Sequence, residues 1–98
     1  MPSLSVILIV KNESAVLAAC LESVAGIADE IVVCDTGSTD DTMAIALAYG
    51  ARVHSIPWEN DFSRARNASI ALATGDWLLH MDADEVLEWE MHAKLLGE

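Results

Sequence analysis

Ser5-Val6-Ile7-Leu8-Ile9-Val10, followed at once by Lys11-Asn12-Glu13-Ser14, decides how the rest of the chain is read. Apart from Ser5 the first six residues are apolar on both alternating faces and rich in β-branched side chains. That is the mark of a strand covered on both sides in a parallel sheet, not of a half-solvated edge. The polar quartet ends it. From Ala15 the period changes, and Val16, Leu17, Cys20, Leu21 and Val24 recur at helical spacing. Asn12 or Ser14 is expected to cap that helix and Gly26 to end it in a left-handed turn.

The same alternation repeats down the chain. Glu30-Ile31-Val32-Val33-Cys34 reads as a second strand that ends at Asp35 and the turn residues Thr36-Gly37-Ser38. Ser38 and Asp41 then suit an Asp variant of the capping box for a helix stopping at Tyr49-Gly50. Residues 51–56 form a weaker strand, diluted by Arg52, His54 and Ser55, expected near a sheet edge and closed by Pro57. Residues 58–62 read as a loop. Residues 63–74 read as an Ala-rich helix capped by Asp61 or Ser63 and stopped by Gly75, and residues 77–81 as a fourth strand in which Trp77 packs in or under the sheet. The spacing of residues 88–96 fits a last helix. Short connections between strands and helices predict an α/β fold in one domain, residues 1–98, with a mainly parallel sheet of about four strands alternating with helices. Ligands are expected at the carboxyl ends of the strands.

The suspicious polar residues fall at those ends. Lys11, Asn12 and Glu13 follow the first strand, Asp35 to Asp41 the second, and Asp82 to Glu85 the fourth. Asp82 and Asp84, two apart at a strand end, present two carboxylates that repel unless a cation joins them, and hard oxygen ligands select Mg²⁺ or Mn²⁺. A solvated acidic turn is the plain alternative. Asp35 precedes a turn and a helix start, and its carboxylate could accept from a ring nitrogen or a ribose hydroxyl, or merely cap the turn. Arg64 and Arg66 stand where the helix dipole does not favour cations, which phosphate recognition would explain as well as charge balance against Glu59 and Asp61. His54, His80 and His92 share no motif and read as structural.

Charge narrows the partners. The chain has 98 residues, 53% of them hydrophobic, with 5 Lys or Arg against 16 Asp or Glu and a net charge of −11. That opposes nucleic acid as a partner, and an anionic ligand would need something local to offset the field. Two cysteines, Cys20 and Cys34, sit in apolar stretches and read as buried thiols in a reducing compartment. The first apolar run stops far short of the roughly 20 residues of a membrane span and lacks a basic leader, which places the chain in the cytoplasm, with the inner face of the membrane left open.

Taken together, Val10-Lys11-Asn12-Glu13, Asp35-Thr36-Gly37-Ser38-Thr39-Asp40, Asp61-Phe62-Ser63-Arg64-Ala65-Arg66-Asn67 and Asp76-Trp77 with Asp82-Ala83-Asp84-Glu85 resemble the amino-terminal half of a family 2 glycosyltransferase. The Asp-Phe-Ser and Ala-Arg-Asn spelling resembles the branch of lipopolysaccharide-core glucosyltransferases. The usual Pro-x-Tyr before Asn12 is replaced by Ile9-Val10-Lys11. The resemblance implies the nucleotide-binding half of a GT-A (Rossmann-like) domain that uses a nucleoside diphosphate sugar, usually a UDP-sugar, with Mg²⁺ or Mn²⁺. It implies Val10, Lys11, Asn12 and Glu13 bordering the base, Asp35 on the uracil or ribose, Arg66 near the diphosphate, Asp82 on the ribose or metal and Asp84 on the metal. The chemistry implied is inverting displacement onto a saccharide or lipid-linked acceptor, with the catalytic base expected beyond residue 98 and this chain an incomplete enzyme.

The same implied fold sets the fourth strand beside the first, with a further strand on its other side. The edge there, or the final helix over residues 89–96, is therefore expected to pair with a second copy of the chain. Other classes fit less well. A dinucleotide oxidoreductase or nucleotidyltransferase needs glycines after the first strand, and a receiver domain needs its acceptor Asp after the third. A non-catalytic nucleotide-binding or structural module that joins a partner chain is the remaining rival.

Overall fold

The computed structural model of the chain describes residues 3–56 and 62–85. The elements run β1 (Leu4–Val10), α1 (Leu17–Val24), β2 (Glu30–Asp35), α2 (Thr42–Ala48), β3 (Arg52–Ser55), α3 (Phe62–Leu72) and β4 (Trp77–His80). All strand pairs are parallel, in the order β3-β2-β1-β4. The diluted third strand lies at the edge, as its composition predicts, and the doubly apolar first strand is central. The expected last helix lies outside the described residues.

Alternation along β1 divides the core into two layers. Val6, Leu8 and Val10 face α1 and α2, joining Leu17, Cys20, Leu21, Val24, Val33, Ala46 and Met81 in one cluster. Ile7 and its register partner Val32 point the other way, toward the face on which α3 packs against β1 and β2. Ala65 and Ser69 on α3 are buried. Fully buried Leu8, Leu17 and Leu21 each contribute about 1.5–3 kcal/mol relative to exposure.

The chain leaves β1 for β2 on one side, and β4 docks on the other. The carboxyl ends of β1 and β4 therefore flank a topological switch point, the place in such sheets where a crevice opens.

Several helix ends differ from expectation, and two of the expected capping residues, Asn12 and Ser38, are claimed by each other across the two loops. The N-cap of α1 is Val16, without a side-chain cap bond, and the Glu13 carbonyl takes the N–H groups of Val16 and Leu17 instead. Gly26 is not left-handed. Asp41 stands at the N-cap of α2 without capping it, Ser38 is drawn to Asn12, and Asp40 accepts from the Thr42 N–H at 3.0 Å. Ser63 lies inside α3, which ends at Leu72, so Gly75 is no helix stop. Trp77 is 64% exposed on β4 and does not pack under the sheet.

At the amino ends of the strands a polar staple closes the sheet. Glu30 Oε2 accepts from Ser5 Oγ at 2.6 Å and from the Thr74 N–H at 2.9 Å, while its other oxygen pairs with Arg52. These bonds, the Ser5 hydroxyl first, hold the Glu30 carboxyl down at about 2. Gly75 donates its N–H to Ser5 Oγ at 2.8 Å. No helix among the described residues is long and apolar enough to cross a membrane.

Candidate functional site

Asp35 is the last residue of β2 and is 1% exposed. Its Oδ1 accepts from the N–H groups of Gly37 at 2.9 Å and Ser38 at 2.8 Å, a tight turn that Gly37 permits with φ at 125°. Its Oδ2 is buried and makes no hydrogen bond. A buried polar atom without a partner is costly and calls for an explanation. The capping reading of Asp35 is met by Oδ1, and Oδ2 is left without a partner.

The loop after β1 is buckled to the turn after β2. Thr36 donates to the Val10 carbonyl through its N–H at 3.0 Å and its hydroxyl at 3.1 Å. The Asn12 N–H donates to Ser38 Oγ at 2.9 Å, and Asn12 Oδ1 accepts from the Thr39 N–H at 2.8 Å. The Glu13 N–H donates to Thr42 Oγ1 at 2.9 Å, and Thr42 in turn donates to Asp40. That hydroxyl, with Ser14 on the other oxygen, holds the Asp40 carboxyl down at about 2. Lys11 stays exposed. Sequence reasoning singled out Asn12 and Glu13 but missed Thr42, whose burial and cross-loop bond have no local signature.

The third component follows β4. The strand ends at His80, so Asp82 and Asp84 lie on the succeeding turn, not on the strand itself. Met81 and Ala83 are buried, which leaves Asp82, Asp84 and Glu85 exposed. Glu85 Oε1 accepts from the Asp82 N–H at 2.8 Å. Cys20 on α1 lies 3.7 Å from the Asp82 carbonyl, and its thiol is pushed up to about 11 by burial first and then by the charges of Glu85, Asp84 and Asp82. Among the described residues no three carboxylate, thiol or imidazole groups form a cage for a metal. Two exposed carboxylates on one turn are hard oxygen donors of the kind that suits a divalent ion.

Above the other face, Ala65 is buried in the first turns of α3, and Arg64 and Arg66 beside it are exposed. α3 leads into β4 at the amino edge of the sheet, so its own start, with both arginines, lies toward the carboxyl edge. Trp58, Glu59 and Asp61 lie outside the described residues. A groove of about 450 Å³ between the end of α1 and the start of β3, lined by Ala28, Asp29, Tyr49 and Arg52, lies at the amino ends of the strands, away from these groups.

A parallel sheet with acidic turns at one edge is shared by many nucleotide-binding proteins, and comparison with known proteins separates them. Residues 5–98 match the sequence family described as Glycosyl transferase family 2. This chain belongs to that family. Among its relatives, a TPR repeat-containing protein of Synechococcus elongatus is 48% identical over 98 residues, all of this chain and 24% of its own length. An uncharacterized glycosyltransferase of Rickettsia felis is 40% identical over 95 residues, 97% of this chain and 33% of its own. This family 2 chain therefore spans about a quarter to a third of the relatives it matches.

Solved structures agree on the fold. Glucosyl-3-phosphoglycerate synthase from Mycobacterium tuberculosis, in complex with Mn²⁺, UDP and glucosyl-3-phosphoglycerate, matches with a TM-score of 0.73 at 33% identity, over 84% of this chain and 33% of that one. The same enzyme with Mg²⁺ and UDP matches with a TM-score of 0.75 at 33% identity, over 87% of this chain and 34% of that one.

Proposed function

We propose that these residues form the donor-binding part of an inverting glycosyltransferase that takes a nucleoside diphosphate sugar, specifically a UDP-sugar, together with Mg²⁺ or Mn²⁺. The observation that carries this reading is the unpartnered Oδ2 of buried Asp35 at the carboxyl edge of the sheet, an acceptor waiting for an N–H or O–H donor. A uracil ring N–H or a ribose hydroxyl supplies one. The UDP and divalent ions in the matching synthase structures support the same choice of ligand.

In this assignment residues 10–13 border the base and Asp35 receives the nucleoside. Asp82 reaches the ribose or metal, Asp84 holds the metal, and Arg66 approaches the diphosphate. A divalent ion, when bound, neutralises the diphosphate and stabilises it as a leaving group. The protein's part is to hold Asp82 and Asp84 on a turn anchored by buried Met81 and Ala83. Glu85 is engaged with the Asp82 main chain and is not the base. We assign the base, and the surface for a saccharide or lipid-linked acceptor, to sequence outside residues 1–98.

The Asp-Phe-Ser and Ala-Arg-Asn spelling supports a place near the lipopolysaccharide-core branch. Exposed Trp77 and Leu78, at 64% and 46%, support self-association along β4, with sedimentation at micromolar concentration as its test.

Isothermal titration with UDP tests the function. Binding should require Mn²⁺ or Mg²⁺, vanish in EDTA and fall at least tenfold in Asp84→Ala. Undiminished affinity in excess EDTA would refute the metal-dependent site.

A further inference from the structure

We propose that Asn12, within the stretch that borders the base, is a positioning residue for the nucleoside half of the site, acting through Thr39 and Ser38. The inference rests on the donor-binding reading above and deepens it. Three observations converge on Asn12. Its φ is 53°, making it the one non-glycine residue with positive φ among those described. Left-handed backbone is unfavourable for most L-residues and is tolerated best by Asn and Asp. Its N–H and its side-chain oxygen are then both spent on the turn after β2, the first on Ser38 Oγ and the second on the Thr39 N–H. The same hydroxyl-bearing turn carries the two amides that hold Asp35 Oδ1, and Ser38 supplies one of them.

Asn12 therefore ties the loop after β1 to the residues that aim the unpartnered oxygen of Asp35. The left-handed backbone turns the chain so that N–H and Oδ1 face the same turn, the one after β2. A side chain that cannot hold that φ, or that lacks the acceptor, lets the two loops part. The turn bearing Asp82 and Asp84 is anchored separately, through Met81 to β1 and through Ala83 to the core. Loss of Asn12 should accordingly weaken recognition of the nucleoside while sparing the metal and phosphates.

Three variants separate backbone from side chain. Asn12→Gly keeps the left-handed conformation and loses the acceptor. Asn12→Asp keeps both. Asn12→Ala loses both. Titration of each with UDP and with inorganic pyrophosphate, both in the presence of Mn²⁺, gives the ratio of the two affinities, which cancels the added charge of the Asp variant. The ratio should fall about tenfold in Asn12→Gly and Asn12→Ala and stay within about threefold of the parent in Asn12→Asp. Amide hydrogen exchange at Thr39 should quicken in the first two variants only.

An unchanged ratio in Asn12→Gly, or an equal loss for UDP and pyrophosphate, would overturn the proposal, since a merely structural role moves both ligands together. If Asn12→Gly fails to fold, an Asn12→Asp protein with a collapsed ratio overturns it equally. A parent chain that binds no UDP while Thr39 remains protected would instead sink the donor-binding reading, and this inference with it.

Discussion

Asp82 and Glu85 bond each other reciprocally: Glu85 Oε1 accepts the Asp82 N–H at 2.8 Å, and the Glu85 N–H donates to the Asp82 carbonyl at 3.0 Å. One carboxylate of the acidic run is thereby committed to the main chain, which fixes the turn on which the other two are displayed. Glu85→Ala should weaken Mn²⁺-dependent UDP binding about tenfold, the scale on which partners of metal ligands act. Glu85→Gln keeps the acceptor and should stay within about threefold. Titration of the two variants side by side decides it, and equal losses would mean that the Glu85 charge matters more than its bond to Asp82.

Asp35→Asn should separate folding from binding. Asn can keep an oxygen on the amides of Gly37 and Ser38 while presenting an NH₂ where the unpartnered oxygen stood. Removing a buried charge should leave the melting temperature unchanged or higher. UDP binding should fall tenfold or more, because a donor would then face a donor. Calorimetry of unfolding and of binding on one sample reads both, and a variant that binds UDP normally would remove Asp35 from the site.

Gly75→Ala tests the junction of β1 with the segment leading into β4. A β carbon there would stand 2.5 Å from Ser5 Oγ, 2.9 Å from the Ser5 N and 3.2 Å from the Ser3 carbonyl oxygen. The variant should lose about 1–3 kcal/mol of stability, as overpacked sites do. Ser5→Ala in the same chain should restore only part of it, since the clash with the backbone N persists. Denaturant midpoints give the comparison.

Acid stability should carry the signature of Glu30. Its carboxyl lies at about 2 in the fold against an ordinary 4.5, so its contribution is complete above pH 4.5 and is lost as the pH falls toward 2. Glu30→Gln should flatten the stability profile between those values and leave the profile near neutrality parallel to the parent. Denaturant titrations at pH 2.5, 3.5, 4.5 and 7 measure it, and an unchanged acid slope would mean that the bonds from Ser5, Thr74 and Arg52 do not favour the charged form.

The strands were legible in the sequence because what defines them is local. The β-branched runs at residues 5–10 and 30–34 and the polar residues just past them identify central strands and the edge where ligands bind, whatever the rest of the chain does. The weak third strand announced its edge position by composition alone. With four motifs in order, the family followed from the sequence as well.

Which polar group bonds to which was decided only by the tertiary structure. Ser38, Asp40, Asp41 and Asn12 can each cap a neighbouring helix, and from the sequence those local bonds look sufficient. In the fold, β1 lies in register with β2 so that Val10 sits opposite Asp35, and the two following loops come within hydrogen-bond reach of each other. Ser38 and Asn12 then bond across and leave their local caps unmade, whereas Asp40 keeps the local bond to the Thr42 amide. Hydropathy and spacing report what a side chain prefers, whereas the pairing of strands far apart in the chain decides what stands beside it.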